Sequence, residues 1–505
     1  MYLKVPYRTA SVVLCLVFGS YVLAQSEEDA LRISSLMPGG TSRSNGLANA
    51  FGAVGADPVC ISINPAGFGL YRTSEFSMTP SFEVNDAESG YYGTRASDTR
   101  NRFYVGNIAL ILNTPSKKGD WRSGTFGVVY DRQQSLHWLQ LAQGDRVPST
   151  QLQGFANEAT GTNIEALNAD AFPFTSSLAW YTYGINDAYP TTPEGDTIPN
   201  QYASAIPFGS DTRQTHTIDA HGASTSTAFF YSGNYLDRLY VGMSIGIAGH
   251  RYLRSTKHTE TNLNDDPEGL ETFTYTEDLT TTGNGFDVKV GVVGRITERF
   301  RMGAAFHSPQ WFRLSDAYTT ALRTSFRTPD GNGQSAYSEN SPDGVFRYRL
   351  NTPWRAVLSA AYIASANGLV SVDYEYADYS QMSFKPDDRL VDDYDFSVEN
   401  DAIRDSYRAV HSFRVGTEWR AGNWYYRVGW GFVPNAYVND DPRHGLALKT
   451  YAGGIGYRTD HVGVDFGLNY ADRGTNYFQY SPDLVEATRE DRQSYRAMLT
   501  LSFRP

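Results

Sequence analysis

Nine histidines are the first residues to weigh, because histidines at ligand spacing can hold a metal or iron. They are His137, His216, His221, His250, His258, His307, His411, His444 and His461, and no two stand at metal-ligand spacing, so no metal site is expected. His411 and Ser412 would suit a base and a nucleophile, but neighbouring strand residues point to opposite faces and cannot pair. Gly52-Ala53-Val54-Gly55 lacks the third glycine and the strand–helix setting of a dinucleotide loop. The sequence therefore predicts no catalytic residue, no enzyme activity and no cofactor. What remains is a set of charges, Asp373, Glu375, Arg414, Glu418, Arg427 and Asp465, which alternation places on one face of predicted strands. That is the pattern of an ionic network lining a wet interior.

The elements that carry those charges are strands. Val462, Val464, Phe466, Leu468 and Tyr470 alternate with Gly463, Asp465, Gly467 and Asn469, and Trp424 to Phe432 and Leu239 to Ile247 repeat the pattern. Such runs fall at 74–84, 101–113, 122–135, 223–235, 237–255, 271–295, 299–314, 345–363, 367–379, 409–419, 422–433, 447–459, 461–473 and 490–503. The connections are alternately long and short, as in outer-membrane barrels with short periplasmic turns and long outer loops. The fold expected is an all-β transmembrane antiparallel β-barrel of about fourteen strands, with a small N-terminal helical hatch (a plug) in the lumen. Residues 271–295 are long for one strand, and Gly283-Asn284-Gly285 offers a hairpin turn inside them.

Composition agrees. In 505 residues there are 35 Tyr, 27 Phe, 8 Trp and 46 Gly, yet only 41% are hydrophobic. A barrel needs an apolar residue only at every second strand position. The net charge of -12, with no basic block, disfavours nucleic acid. Lys4 and Arg8, the apolar run from Ala10 to Phe18 and the small-residue site Val22-Leu23-Ala24 predict a signal peptide over 1–24, cleaved before Gln25. After cleavage Cys60 is the sole cysteine, so no internal disulfide is expected. The bacterial outer membrane is the expected location. Outer-membrane lipid, lipopolysaccharide and the barrel assembly machinery are the expected partners. Residues 25–73 form the hatch and residues 74–505 the barrel, whose largest outer loop is 136–222.

Within 42–83, the stretch Gly46-Ala48-Ala50-Gly52, then Ala56-Asp57, and above all Asn64-Pro65-Ala66-Gly67 just before the first strand resemble the hatch of the FadL-like outer-membrane transporters of long-chain fatty acids and aromatic hydrocarbons. The resemblance implies a fourteen-strand barrel, capture of a hydrophobic ligand by outer loops, and side release through a kink in the third strand beside the Asn-Pro-Ala turn. The ligand path is expected at Asn64, Pro65, Ala66 and Gly67, with Ala66 leaving space that a larger side chain would fill. The third-strand kink is expected at Gly124 and Gly127. Loop capture is expected at Trp138, Leu139, Phe155, Phe172, Phe174 and Trp180. The alternatives are a sealed surface barrel serving as adhesin or scaffold, and a haem-binding receptor, since some members are described as haem-binding.

Overall fold

The computed structural model describes residues 26–116, 119–191, 197–266, 269–389 and 394–505. The predicted signal segment and Gln25 lie outside the described residues. The wall is a closed antiparallel barrel of fourteen strands. They are β1 (Glu75–Tyr91), β2 (Thr94–Pro115), β3 (Trp121–Ser135), β4 (Thr212–Tyr235), β5 (Leu239–Asn262), β6 (Leu270–Arg295) and β7 (Phe300–His307, resuming as Trp311–Phe326). Then come β8 (Gly344–Asn351 and Arg355–Ser365), β9 (Gly368–Asp378 and Ser383–Pro386), β10 (Ala409–Ala421), β11 (Trp424–Val433), β12 (Leu448–Arg458), β13 (Val462–Tyr477) and β14 (Thr488–Phe503). Each strand pairs with the next, and β14 closes on β1 from Phe76↔Phe503 to Gly90↔Arg489, so the ring is closed.

Alternation sets what faces out. Every wall strand turns a large apolar side chain outward, among them Phe76, Leu110, Phe126, Phe229, Ile245, Val290 and Met302, then Leu358, Val372, Val415, Val428, Ile455, Phe466 and Leu499. Aromatic rows border this belt. Trp419, Trp424, Tyr457 and Phe503 lie at the end with the short turns, and Tyr374, Phe413, Trp430, Tyr451 and Tyr495 at the other. So much contiguous apolar surface is unstable in water and suits lipid, with the aromatic rows at its two interfaces. Among the described residues no helix is long and apolar enough to cross a membrane, which says nothing about strands.

The wall departs from the sequence expectation in several places, three of which show why. The expected outer loop 85–100 is mostly strand, with β1 and β2 meeting at a two-residue turn. Tyr92 and Gly93 both have positive φ, 40° and 78°, as a turn matched to strand twist requires. Second, Gly283-Asn284-Gly285 is no hairpin, because β5 and β7 pair straight past it on either side. A Cβ on Gly285 would stand 2.9 Å from the Phe312 ring, so these glycines serve close packing rather than a turn. Third, the expected unbroken runs 299–314 and 345–363 are both interrupted, at 308–310 and at 352–354. Pro309 and Pro353 have no N–H to give a ladder. Side chains mend the break: Ser308 Oγ accepts from the Val288 N–H at 2.9 Å and Thr352 Oγ1 from the Gln310 N–H at 2.8 Å.

Candidate functional site: the lumenal segment and its seat

Residues 26–73 lie inside the barrel and fold as short pieces joined by caps. Helix α1 is Glu27–Ser34, α2 is Ser42–Asn45 and α3 is Cys60–Ile63; a 3-10 turn, Pro65–Leu70, leads toward β1. Thr41 caps α2 through the Ser44 N–H. Asn64 caps the 3-10 turn, its Oδ1 accepting from the Ala66 N–H at 3.1 Å, and Pro65 takes the first position, where a missing N–H costs nothing. Too small to bury a core of its own, the segment uses the wall for one. Leu47, Phe51, Val54, Val59 and Ile63 pack on Ala305, Val357 and Ala361, and Phe68 stacks on Phe230 with ring centroids 3.6 Å apart.

Wall glycines make room for this contact. A Cβ on Gly416 would lie 2.6 Å from Leu47 Cβ, one on Gly303 2.7 Å from the Gly52 carbonyl oxygen, and one on Gly467 2.9 Å from that of Ser42. Those distances are well inside van der Waals contact, so at these positions only glycine lets the backbone of the segment touch the wall. The glycines occupy the inward parity of their strands, a position where sequence reading sees only small residues on a polar face.

On the side of β8 to β14 the segment is held by charge. Arg43 bonds both oxygens of Glu418, at 2.8 and 2.9 Å. Glu418 also takes Arg427, at 2.6 Å; Arg427 continues to Asp465, at 2.6 Å, and Asp465 to Arg458, at 2.7 Å. The Phe51 and Gly52 N–H groups both donate to Asp373, at 2.8 and 2.9 Å, and the Ser42 N–H donates to Thr500 Oγ1 at 2.8 Å. Glu375 joins Arg414 and Arg355. The charges singled out in the sequence thus do line the lumen, and Asp373, Glu418, Arg427 and Asp465 form the anchor of the segment.

On the side of β3 the hold centres on one carboxylate, beside which the Met37 N–H donates to the Gln133 carbonyl at 3.0 Å, Gln134 Nε2 donates to that of Arg32 at 3.0 Å, and Cys60 and Ile61 pack with Ile111 and Val129. Asp131, fully buried, accepts from the Gly40 N–H (2.8 Å), the Gly39 N–H (3.3 Å), Ser62 Oγ (2.6 Å) and Asn107 Nδ2 (3.0 Å). The β2–β3 ladder ends at this residue, running from Pro115↔Ser123 to Asn107↔Asp131 and no farther. Beyond it β2 stays with β1, while β3 bulges at Gln133, stays with β4 and continues as the strand Trp138–Val147, also on β4. Side chains alone bridge the seam. Arg132 lies over the Tyr104 ring at 4.4 Å, Arg100 pairs with Asp219, Arg102 Nη1 reaches His137 Nδ1 at 3.4 Å, and Asn85 donates to the His137 carbonyl at 2.8 Å. Nothing in the composition of Asp131 marks it in the sequence; its place at the end of a ladder does.

Asn64, Pro65, Ala66 and Gly67 come together, but against β4 to β6. Asn64 Nδ2 donates to the Val292 carbonyl at 3.2 Å, and Ser232 Oγ to that of Ala66 at 3.2 Å. Ala66 is fully buried between Tyr240 and Val293, so the turn is packed rather than beside open space. Gly124 and Gly127 sit in unbroken register, opposite Thr114 and Ile111 on β2; the register shifts of β3 on β4 fall at Arg122 and Gln133 instead. Phe155, Phe172 and Trp180 share an outer-loop core with Leu152, Leu178 and Tyr202. Phe174 packs on Tyr318, and Trp138 lies under Arg492 and beside Leu136 and Tyr252. Leu139, half-buried, pairs with Asp219. The 136–222 region therefore holds the strand Trp138–Val147, three short helices, the paired short strands Ile185–Ala188 and Gln201–Ser204, and the outer half of β4 rather than one long loop. Cys60 is free and buried, and no metal-holding cluster exists among the described residues.

Where segment and wall meet the β7–β8 break, a polar cavity of about 30 Å³ remains, lined by Met37, Ser62, Gln133, Lys289, His307 and Gln310 among others. That is room for about one or two waters, far too little for a hydrocarbon ring. At this level the segment leaves little open space in the lumen.

No family model matches the sequence, and no curated protein does. Solved structures do match. A FadL homologue of Pseudomonas aeruginosa aligns over 93% of this chain and 99% of its own, with a TM-score of 0.55 and 12% identity. The Pseudomonas putida toluene transporter TodX aligns over 93% and 99%, with 0.51 and 11%, and the Ralstonia pickettii toluene transporter TbuX over 93% and 99%, with 0.50 and 13%. The wall of fourteen strands, closed β14 on β1, is thus a barrel of the FadL fold.

Proposed function

We propose that this protein is an outer-membrane channel for hydrophobic small molecules, in which residues 26–73 act as the hatch. The observation that carries the reading is the pairing of an apolar outer belt with a lumen filled by a segment that is locked by a buried ion chain on one side and held, among the described residues, without ion pairs on the other, where the β2–β3 ladder stops. An aqueous pore would not need such a stopper, and a sealed scaffold would not need an interrupted wall. The route we infer runs from the outer loops to Asp131 and out sideways through the β2–β3 seam, where side chains alone span the gap. Opening there costs a few side-chain contacts rather than a backbone ladder. The similarity of fold to two toluene transporters and a FadL homologue supports the substrate class. Toluene and a long-chain fatty acid are the first substrates to test, because apolar sites discriminate weakly among apolar ligands. Residues 1–24 are read as the signal that exports the chain, and the barrel assembly machinery as what inserts it.

The test is uptake of radiolabelled toluene and oleate by cells with and without the gene, alongside fractionation of the protein. Loss of uptake of either compound on deletion, restored by the wild-type gene, supports the channel. Unchanged uptake of both, with the protein present in the outer membrane, would make a sealed surface barrel the better reading.

A further inference from the structure

Outside the barrel, directly beyond the aromatic row on β6 to β9, three cations stand abreast. Arg313 on β7 faces Arg349 on β8, and Arg349 faces Lys385 on β9. Arg347, two residues farther from the belt, adds a fourth, opposite Ser315. Like charges directly opposite in a sheet repel one another. One carboxylate is shared among them: Asp388 takes Arg313 at 3.1 Å and Arg349 at 3.0 Å. Arg347 and Lys385 are exposed and have no ion-pair or hydrogen-bond partner among the described residues. The arrangement is local to this sector. At the corresponding level β12 and β13 oppose Lys449 to Asp472, and β1 and β14 oppose Asp86 to Gln493. It also runs against the balance of a chain with net charge -12.

The height of the row identifies its ligand. Trp311, tilted against Phe286 with ring centroids 4.8 Å apart, and Trp354, between Phe306 and Tyr376 at 5.8 and 5.3 Å, mark the upper rim of the apolar belt. The residues next above that rim sit at the depth of lipid headgroup phosphates. Guanidinium forks match phosphate oxygens, and an ammonium adds a point charge. We propose that Arg313, Arg347, Arg349 and Lys385 seat a phosphate of an outer-leaflet phosphorylated glycolipid, the lipid A part of lipopolysaccharide, with its acyl chains laid on the belt below. The site rests on the outer-membrane reading above. It explains why cations are kept where facing strands penalise them.

The test uses the full-length protein purified in detergent, with native mass spectrometry and a defined set of probes: bisphosphorylated lipid A, its dephosphorylated form, phosphatidylglycerol and inorganic phosphate. The variant is Arg347→Gln with Lys385→Gln, both outward-facing, so the barrel should keep its heat-dependent gel mobility. Wild-type protein should hold bisphosphorylated lipid A about tenfold more tightly than the dephosphorylated form, and the variant should lose that preference. Inorganic phosphate should not displace the lipid. Equal retention by wild type and variant, or equal retention of both lipid forms, would overturn the site. Asp392 and Asp393 follow in the sequence; if they neutralise the row, the wild type will show no preference and the proposal fails. Displacement by inorganic phosphate would reduce it to a free-anion site. Fractionation away from the outer membrane would instead sink the reading of location.

Discussion

The two sides of the lumenal segment are held in different ways. Toward β8 to β14 it meets a chain of buried arginines and carboxylates, Arg43–Glu418–Arg427–Asp465–Arg458, and glycines that let its backbone touch the wall. Toward β3 it meets one carboxylate, Asp131, where the β2–β3 ladder stops, with a backbone bond from Met37 to Gln133 and apolar packing of Cys60 and Ile61 but no ion pair to the wall among the described residues. A buried ion pair is costly to break by removing one partner, since the other charge is left without compensation. Neutral hydrogen bonds to a carboxylate are individually worth less. The difference is why the proposed passage is placed on the β3 side, where the segment has no ion pair to break among the described residues.

The largest effect should come from removing both sides at once. Deleting residues 26–66 leaves a fourteen-strand wall, wider than the ~8 strands that side chains alone can fill, so cells should become leaky to polar dyes. Dye entry at the wild-type rate with the barrel present at normal level would mean that the segment does not close the lumen.

Next, the two sides can be weighed separately. Glu418→Ala should loosen the segment by about 3–5 kcal/mol, because Arg43 of the segment is left buried without its carboxylate. Asp131→Asn should cost about 1–3 kcal/mol, since it keeps the shape and some of the bonds. Limited proteolysis between residues 26 and 73 should therefore be much faster in the first variant than in the second. The reverse order would invert the comparison.

The smallest effect lies in the outer loops. Glu158, in the helix Gln151–Ala159, is buried beside Thr175 and Ser176, and burial lifts its carboxyl above the usual range despite those hydrogen bonds. A raised carboxyl favours the protonated folded form, so its contribution is present at low pH and is lost as pH rises through the folded-state value. Protection factors over 151–181, after correction for the intrinsic pH dependence of amide exchange, should be higher at pH 4 than at pH 7.5, and Glu158→Gln should flatten that dependence. The anchored side should not respond, and a matching response there would show that cap and segment move together.

Much of the wall was legible because alternation with period two survives anywhere along a strand: the fourteen runs, the outward parity of Val464, Phe466 and Leu468, and the inward charges all follow from it. Strand breaks were legible in principle, since Pro309 and Pro353 stand at neighbouring places in adjacent strands, but a pattern of apolar residues does not register a missing N–H. The seat of the segment was not legible. Gly416, Gly303 and Gly467 are glycine because of atoms more than 250 positions away in the chain, and Asp131 matters because a ladder ends beside it. The Asn64-Pro65-Ala66-Gly67 turn could be located from local rules, yet its neighbours, β4 to β6, could not.

The central claim is that hydrophobic molecules leave through the β2–β3 seam while the anchored side stays put. The direct measurement replaces Arg102 and His137 with cysteines, bridges them with a short reducible thiol cross-linker, and follows uptake of toluene and oleate before and after reductant. Cys60 is buried and should not compete. The account predicts that bridging cuts uptake to near the level of the deleted gene, that reductant restores it, and that the same bridge between the outward-facing pair Tyr426 and Ile455 on β11 and β12, whose ladder is intact, changes nothing. Full uptake with the β2–β3 seam bridged would contradict it.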